Sequence, residues 1–142
     1  MNPVERVPLI DRARTLMEEA ANGLDWVRMV LEYRALIGHA EGTLTAVCPD
    51  GEYELFLPPV LRQEMAVLRS ITYAPGRGAW FTAVLTVERG AGWHITYDRD
   101  GEPEFSVPPL AAGYALDVWY YPRDFARVPP WLVERLRADG AP

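Results

Sequence analysis

Between Pro8 and Ala21 the apolar residues Leu9, Ala13, Leu16, Met17, Ala20 and Ala21 recur at steps of three and four, with Asp11, Arg12, Arg14, Glu18 and Glu19 mostly between them. That spacing predicts an amphipathic helix, and Asn22-Gly23 is a pair suited to a left-handed C-terminal cap. From Val27 to Ile37 the period changes to two. Val27, Met29, Leu31, Tyr33, Ala35 and Ile37 alternate with Arg28, Glu32 and Arg34, as in a strand with one buried face. Val30 interrupts the alternation, and a helix over the same span is the alternative.

Thr43–Val47 is rich in β-branched residues, and Pro49-Asp50-Gly51 is a turn sequence in which glycine supplies a positive φ, so Tyr53–Leu57 reads as the returning strand. Pro58-Pro59 ends it and opens a short helix in which Val60, Leu61, Met65 and Leu68 keep helical spacing. Ala74–Gly78 is loop chemistry. Trp80–Val87 is the strongest strand signal in the chain, and Gly90 and Gly92 turn it into a second hairpin with Trp93–Tyr97. A third helix is expected over Leu110–Tyr121, broken before Pro122, and a last one runs from Pro129-Pro130-Trp131 through Arg137 to a stop at Gly140. Because each apolar face must be buried against another layer, these elements predict a single α+β domain over residues 1–142, with a mainly antiparallel sheet of about five strands in two hairpin groups under about four helices.

The composition narrows the chemistry. With 49% hydrophobic and 24% charged residues, the 142-residue chain is far from the disordered class. Twenty acids against fourteen bases, all of them Arg, leave a net charge of −6, which disfavours direct contact with phosphate backbones or anionic lipid. The segment Met1–Arg14 carries Glu5, Arg6, Asp11 and Arg12 where a signal peptide has an unbroken apolar run, and no stretch approaches the roughly 18 apolar residues of a membrane span. A cytoplasmic location is therefore expected. The lone Cys48 reads as a small buried strand residue, in keeping with a reducing compartment.

Nothing along the chain reads as a catalytic apparatus. His39, in a Gly-His-Ala loop, and His94, in a strand, belong to no metal-binding spacing. Gly76-Arg77-Gly78 resembles a fragment of a phosphate loop, yet no Lys-Ser/Thr follows and the segment enters a strand. No Gly-x-Ser-x-Gly occurs. Glu102 and Glu104 could do acid–base work, but in so acidic a loop solvation is the simpler reading. No catalytic residue, cofactor site or metal site is assigned, and the chain is expected to act by binding another macromolecule.

Ala74-Pro-Gly-Arg-Gly-Ala-Trp-Phe-Thr-Ala, a hairpin, and Tyr97-Asp-Arg-Asp-Gly-Glu-Pro-Glu-Phe105 together resemble the YezG-like immunity proteins of bacterial toxin systems. Tyr114–Asp117, then Tyr121-Pro122-Arg123-Asp124 and Val128-Pro129-Pro130-Trp131-Leu132, are similar to that family's closing pattern, an aromatic-Pro-Arg element before a Pro-x-Trp-Leu helix. The resemblance covers residues 74 to 132. Where the family has an acidic Asp-Tyr-Asp-Tyr-Asp-like run and a more charged helix end, this chain has Thr96-Tyr97-Asp98-Arg99-Asp100 and Trp119-Tyr120-Tyr121. The resemblance implies a small cytosolic protein that binds a cognate secreted toxin one-to-one, often a nuclease or other nucleic-acid-modifying enzyme, and neutralises it.

Charge points independently in the same direction. Glu41, Asp50, Glu52 and Glu54 lie in one stretch without a base, and Asp98, Asp100, Glu102 and Glu104 lie in another with only Arg99. Acidic loops of this kind can fill the basic cleft that an enzyme gripping phosphates must present. The candidate toxin-binding residues are Asp50, Glu52, Trp93, Asp98, Asp100, Glu102, Glu104 and Trp119. A small-molecule-binding or enzymatic α+β domain is the alternative.

Overall fold

The computed structural model describes residues 3–110 and 112–138, so the helix stop at Gly140 lies outside the described residues. Helix α1 (Pro3–Ala20) is followed by strands β1 (Arg28–Leu36), β2 (His39–Cys48) and β3 (Gly51–Leu55), helix α2 (Pro59–Ile71), strands β4 (Thr82–Glu88) and β5 (Gly92–Asp98), and helices α3 (Gly113–Tyr120) and α4 (Pro130–Ala138), with a short 3-10 turn at Phe125–Arg127. The strands form one sheet in the order β3-β2-β1-β4-β5, with every neighbouring pair antiparallel. It is the α+β architecture expected from the sequence. A three-strand meander and a hairpin are joined by α2.

The alternation read over Val27–Ile37 holds from Met29 to Ala35, whereas Val27, 48% exposed, and Ile37, partly buried, lie outside β1. Met29, Leu31, Tyr33 and Ala35 are buried, as are Leu44, Ala46, Ala83, Leu85 and Val87 on the same face. Against that face α1 packs Leu9, Ile10, Ala13 and Met17, while α2 packs Leu61, Met65 and Leu68. Helix α1 starts earlier than Pro8 and carries that proline inside it. It ends as expected, with Gly23 at φ +89°. On the other face Val30, Glu32, Arg34, Thr43, Thr45, Val47, Val84 and Thr86 are only partly buried.

Strand β2 begins at His39, four residues before the β-branched run that announced it. The intervening Gly42 hides the strand from propensity, since glycine weakens strands, and Leu57 and Tyr33 pack closely over it. A Cβ there would lie 2.6 Å from Leu57 Cδ2 and 3.1 Å from Tyr33 Cδ1. Trp80 and Phe81 precede β4 rather than opening it, and both are fully buried. Phe81 belongs to a second, smaller core with Leu36, Tyr114 and Leu132, flanked by Phe105, Val118 and Trp131, which seats α3 and α4 at the β1–β2 turn end of the sheet.

Candidate partner-binding surface

Helix α3 is only eight residues long, too short to be stable alone, so its orientation must be imposed by tertiary contacts. The contact that does so is ionic. Arg69 of α2 donates from Nη1 and Nη2 to the two carboxylate oxygens of Asp117, at 2.6 and 3.0 Å, and both side chains are only 4% exposed. Arg69 Nε also donates to the Trp80 carbonyl at 2.7 Å, and the Ile37 N–H donates to Asp117 Oδ1 at 2.8 Å. With the guanidinium fork and the carboxylate both satisfied, the pair is a structural bolt.

The consequence falls on the neighbouring residues. At ~100° per residue, Trp119 lies ~200° around α3 from Asp117, with Leu116 and Tyr120 on the same outer arc. Trp119 is 75% exposed, Tyr120 55% and Leu116 44%, and the Trp119 and Tyr120 rings meet edge to face at 5.1 Å. Of the consecutive aromatics, Tyr121 alone turns inward, beneath the Arg69 guanidinium at 5.0 Å and against Tyr73.

The acidic loop after β5 is organised by a second arginine. Arg123, with a side chain 2% exposed, donates from Nη1 to Asp100 Oδ1 at 3.1 Å and to the Arg127 carbonyl, and from Nη2 to the carbonyls of Ala79 and Arg99. Its guanidinium also sits over the Phe81 ring at 4.9 Å. Burial pushes its pKa down, and the Asp100 carboxylate opposes that. Nearby, burial and then the charge of Arg77 push Arg99 down, while its guanidinium donates to the Thr72 and Gly78 carbonyls.

Gly76-Arg77-Gly78, the fragment that resembled a phosphate loop, is the cradle for this latch. The Asp124 N–H donates to the Gly76 carbonyl at 2.7 Å. A Cβ on Gly78, at φ +88°, would lie 2.5 Å from Arg123 Nε, and one on Gly76, at φ +80°, would lie 2.6 Å from Asp124 Oδ2. The Gly-Arg-Gly and Tyr-Pro-Arg-Asp elements therefore serve each other.

The candidate acids have different partners. Asp98 accepts the N–H groups of Gly101 and Asp100, at 2.9 and 3.2 Å, and so shapes the loop from within. Asp100 holds Arg123 although its side chain is 80% exposed, and its carbonyl accepts from Trp131 Nε1 at 2.6 Å. Glu102 receives Arg135 Nε at 2.7 Å. Glu104 is exposed and has no partner among the described residues. Glu102 and Glu104 edge a groove of about 510 Å³ that Phe105, Pro108, Leu110 and Tyr114 line on its apolar side.

The candidates fall at opposite ends of the sheet. Register places Arg28 opposite Val47 and Glu88 at one end, and Arg34 opposite Glu41 and Thr82, which in turn faces Asp98, at the other. The turn bearing Asp50, with Glu52 beside it, is therefore separated from the Asp98–Glu104 loop by roughly 20 Å along the strands, and Trp93, at the same end of the sheet as Asp50, lies on β5 at the opposite edge. One small cleft cannot cover both groups. Asp50 accepts the Tyr53 hydroxyl at 2.8 Å, Glu52 is exposed, and Trp93 is half-buried against the edge of the main core. Trp119 shares its end of the molecule with the acidic loop.

Glu41, counted among the acids of the first stretch, faces inward. Its carboxylate accepts the N–H of Ser106 at 2.7 Å, the Ser106 hydroxyl at 2.8 Å and the N–H of Val107 at 2.8 Å. Burial alone would raise its pKa, but these hydrogen bonds and the nearby Arg34 hold it at about 2. His39, the first residue of β2 rather than a loop residue, places Nε2 3.0 Å from the Val107 carbonyl and its ring against Phe105. Together they pin the end of the acidic segment onto the sheet, a role that only the long-range register could show. Cys48 is buried, and burial followed by the Asp50 and Asp25 charges pushes its thiol up, away from reactivity.

No group of three or more His, Cys, Asp or Glu able to hold a metal occurs among the described residues. No helix among them is long and apolar enough to cross a membrane. A scan against protein-family models finds no match, and no curated protein matches the chain.

Proposed function

We propose that this protein is an immunity-type inhibitor that binds a cognate bacterial toxin, a nuclease or other nucleic-acid-modifying enzyme, and blocks its active site. The observation that carries the reading is the aromatic face of α3. Trp119 and Tyr120 stand outside both cores on a helix held rigid by Arg69–Asp117. Large, rigid, exposed aromatics are the residue types that dominate binding energy at interfaces. A preorganised helix also lowers the entropy lost on binding.

Charge supports the choice of partner. Glu104 and the exposed side chain of Asp100 lie at the same end of the molecule as α3, in a chain of net charge −6. A basic, phosphate-gripping cleft is the complementary surface, and attraction to it speeds association. Because Asp98 and Glu102 are engaged within the protein, the anchor is aromatic and the acids steer. The resemblance of residues 74–132 to YezG-like immunity proteins gives the toxin as the partner.

The test pairs the chain with the toxin domain encoded beside its gene. Co-expression should protect a host that the toxin alone kills, and calorimetry should give one toxin per chain. A locus without such a toxin, or a purified pair that does not bind, would overturn the proposal. Turnover of a small molecule by the isolated chain would favour the enzymatic alternative.

A further inference from the structure

The two edges of the sheet are not alike. In the centre, the Ala35 N–H donates to the Phe81 carbonyl at 2.9 Å and the Arg89 N–H to the Val27 carbonyl at 3.0 Å. These bonds fix which backbone groups of β4 face β1, namely those of Ala83, Leu85 and Val87. Thr82, Val84, Thr86 and Glu88 consequently face β5, where their opposite residues are Asp98, Thr96, His94 and Gly92. The N–H and C=O groups of Trp93, Ile95 and Tyr97 are left pointing away from the sheet. None of them has a backbone partner among the described residues.

By the same alternation, the outward groups of β3 belong to Glu52 and Glu54. That edge is short and charged, as protected edges are. The β5 edge is longer and carries no charge or proline from Gly92 to Tyr97, its one acid, Asp98, standing at the end of the strand, and His94 and Thr96 are exposed on the open face.

We propose that β5 pairs antiparallel with β5 of a second copy of this chain, joining two five-stranded sheets into one across a twofold axis at Ile95. The sequence is self-complementary about that point. Ile95 exchanges hydrogen bonds with Ile95 of the second copy, and Trp93 stands opposite Tyr97 of the second copy, an aromatic cross-strand pair on the helix-covered face. On the open face His94 meets Thr96 of the second copy at the close, non-hydrogen-bonded positions. No like charges oppose each other. The equivalent pairing of β3 would set Glu52 against Glu54, which explains why the second copy belongs on β5. The pairing is independent of what α3 binds and stands or falls separately from the proposed function.

Sedimentation equilibrium over a dilution series tests it. The full chain should show twice its monomer mass at the upper end and dissociate on dilution. His94→Glu with Thr96→Glu puts carboxylates opposite one another across the seam and should abolish the dimer while leaving the far-ultraviolet circular dichroism unchanged. His94→Lys with Thr96→Lys should do the same, and mixing the two variants should restore the dimer mass. If the Glu pair disturbs the fold, the Lys pair carries the test alone. A wild-type chain that stays monomeric throughout, a folded charged pair that still dimerises, or Glu and Lys variants that remain apart when mixed overturns the proposal.

Discussion

Replacing Asp117 with Ala removes one side of the buried Arg69–Asp117 pair and leaves two defects in the interior. Arg69 keeps its charge with side-chain exposure of only 4%, and the Ile37 N–H loses its acceptor. Breaking a buried pair by deleting one partner costs about 3–5 kcal/mol, and an orphaned buried donor costs about 1–3 kcal/mol. Because the defects share one site they do not add fully, and a total of about 4–6 kcal/mol is expected, a large part of the 5–15 kcal/mol typical of a whole domain. Urea unfolding followed by tryptophan fluorescence should show the midpoint falling steeply. The double variant Arg69→Met with Asp117→Leu removes the unpaired charge and should recover that part of the loss, while the Ile37 N–H and the Trp80 carbonyl stay without their partners. An Asp117→Ala protein within about 1 kcal/mol of wild type would refute the view that this pair sets the position of α3.

Three further outcomes follow from the acids. Glu41 has its pKa lowered from 4.5 to about 2 in the folded protein, so the stability it contributes is present above pH 4.5 and lost as pH falls from there towards 2. The stability difference between wild type and Glu41→Gln, measured by denaturant titration at each pH, should close over that window; a gap that persists at pH 2 would contradict the assignment. Glu104→Arg should leave stability within about 0.5 kcal/mol yet slow association with the toxin severalfold at low salt. Asp100→Arg should slow association and also lower the thermal midpoint, because it confronts the buried Arg123. Equal midpoints for the two reversals, read by differential scanning calorimetry, would contradict the latch.

The fold was legible where the local pattern and the tertiary environment agree. The period-two run of β1, the Asn22-Gly23 cap and the Pro-Asp-Gly turn each reflect a constraint that acts within a few residues. The start of β2 was not legible, because Gly42 lacks strand propensity and the Leu57 side chain that packs over it lies far outside any local window. The site was legible in composition but not in assignment. Acidic loops and exposed aromatics can be seen in a sequence, but the partners of the acids cannot. Arg123 lies 23 positions from Asp100, Arg135 33 from Glu102, and Ser106 65 from Glu41. Nor could sequence show that Asp50 and Asp100 lie at opposite ends of one sheet. The excess of aromatics at Trp119-Tyr120-Tyr121 was the signal that one of them had to face outward.

The effect of Trp119→Ala on toxin binding bears most directly on the proposed function. The side chain touches neither core, so thermal unfolding should be nearly unchanged, whereas loss of a central aromatic anchor should weaken binding by about 2 kcal/mol or more, roughly 30-fold. Isothermal titration of the variant and the wild type against the cognate toxin, with unfolding measured on the same preparations, separates the two effects. A folded Trp119→Ala protein that binds and protects as well as wild type would show that the aromatic face of α3 is not the contact surface.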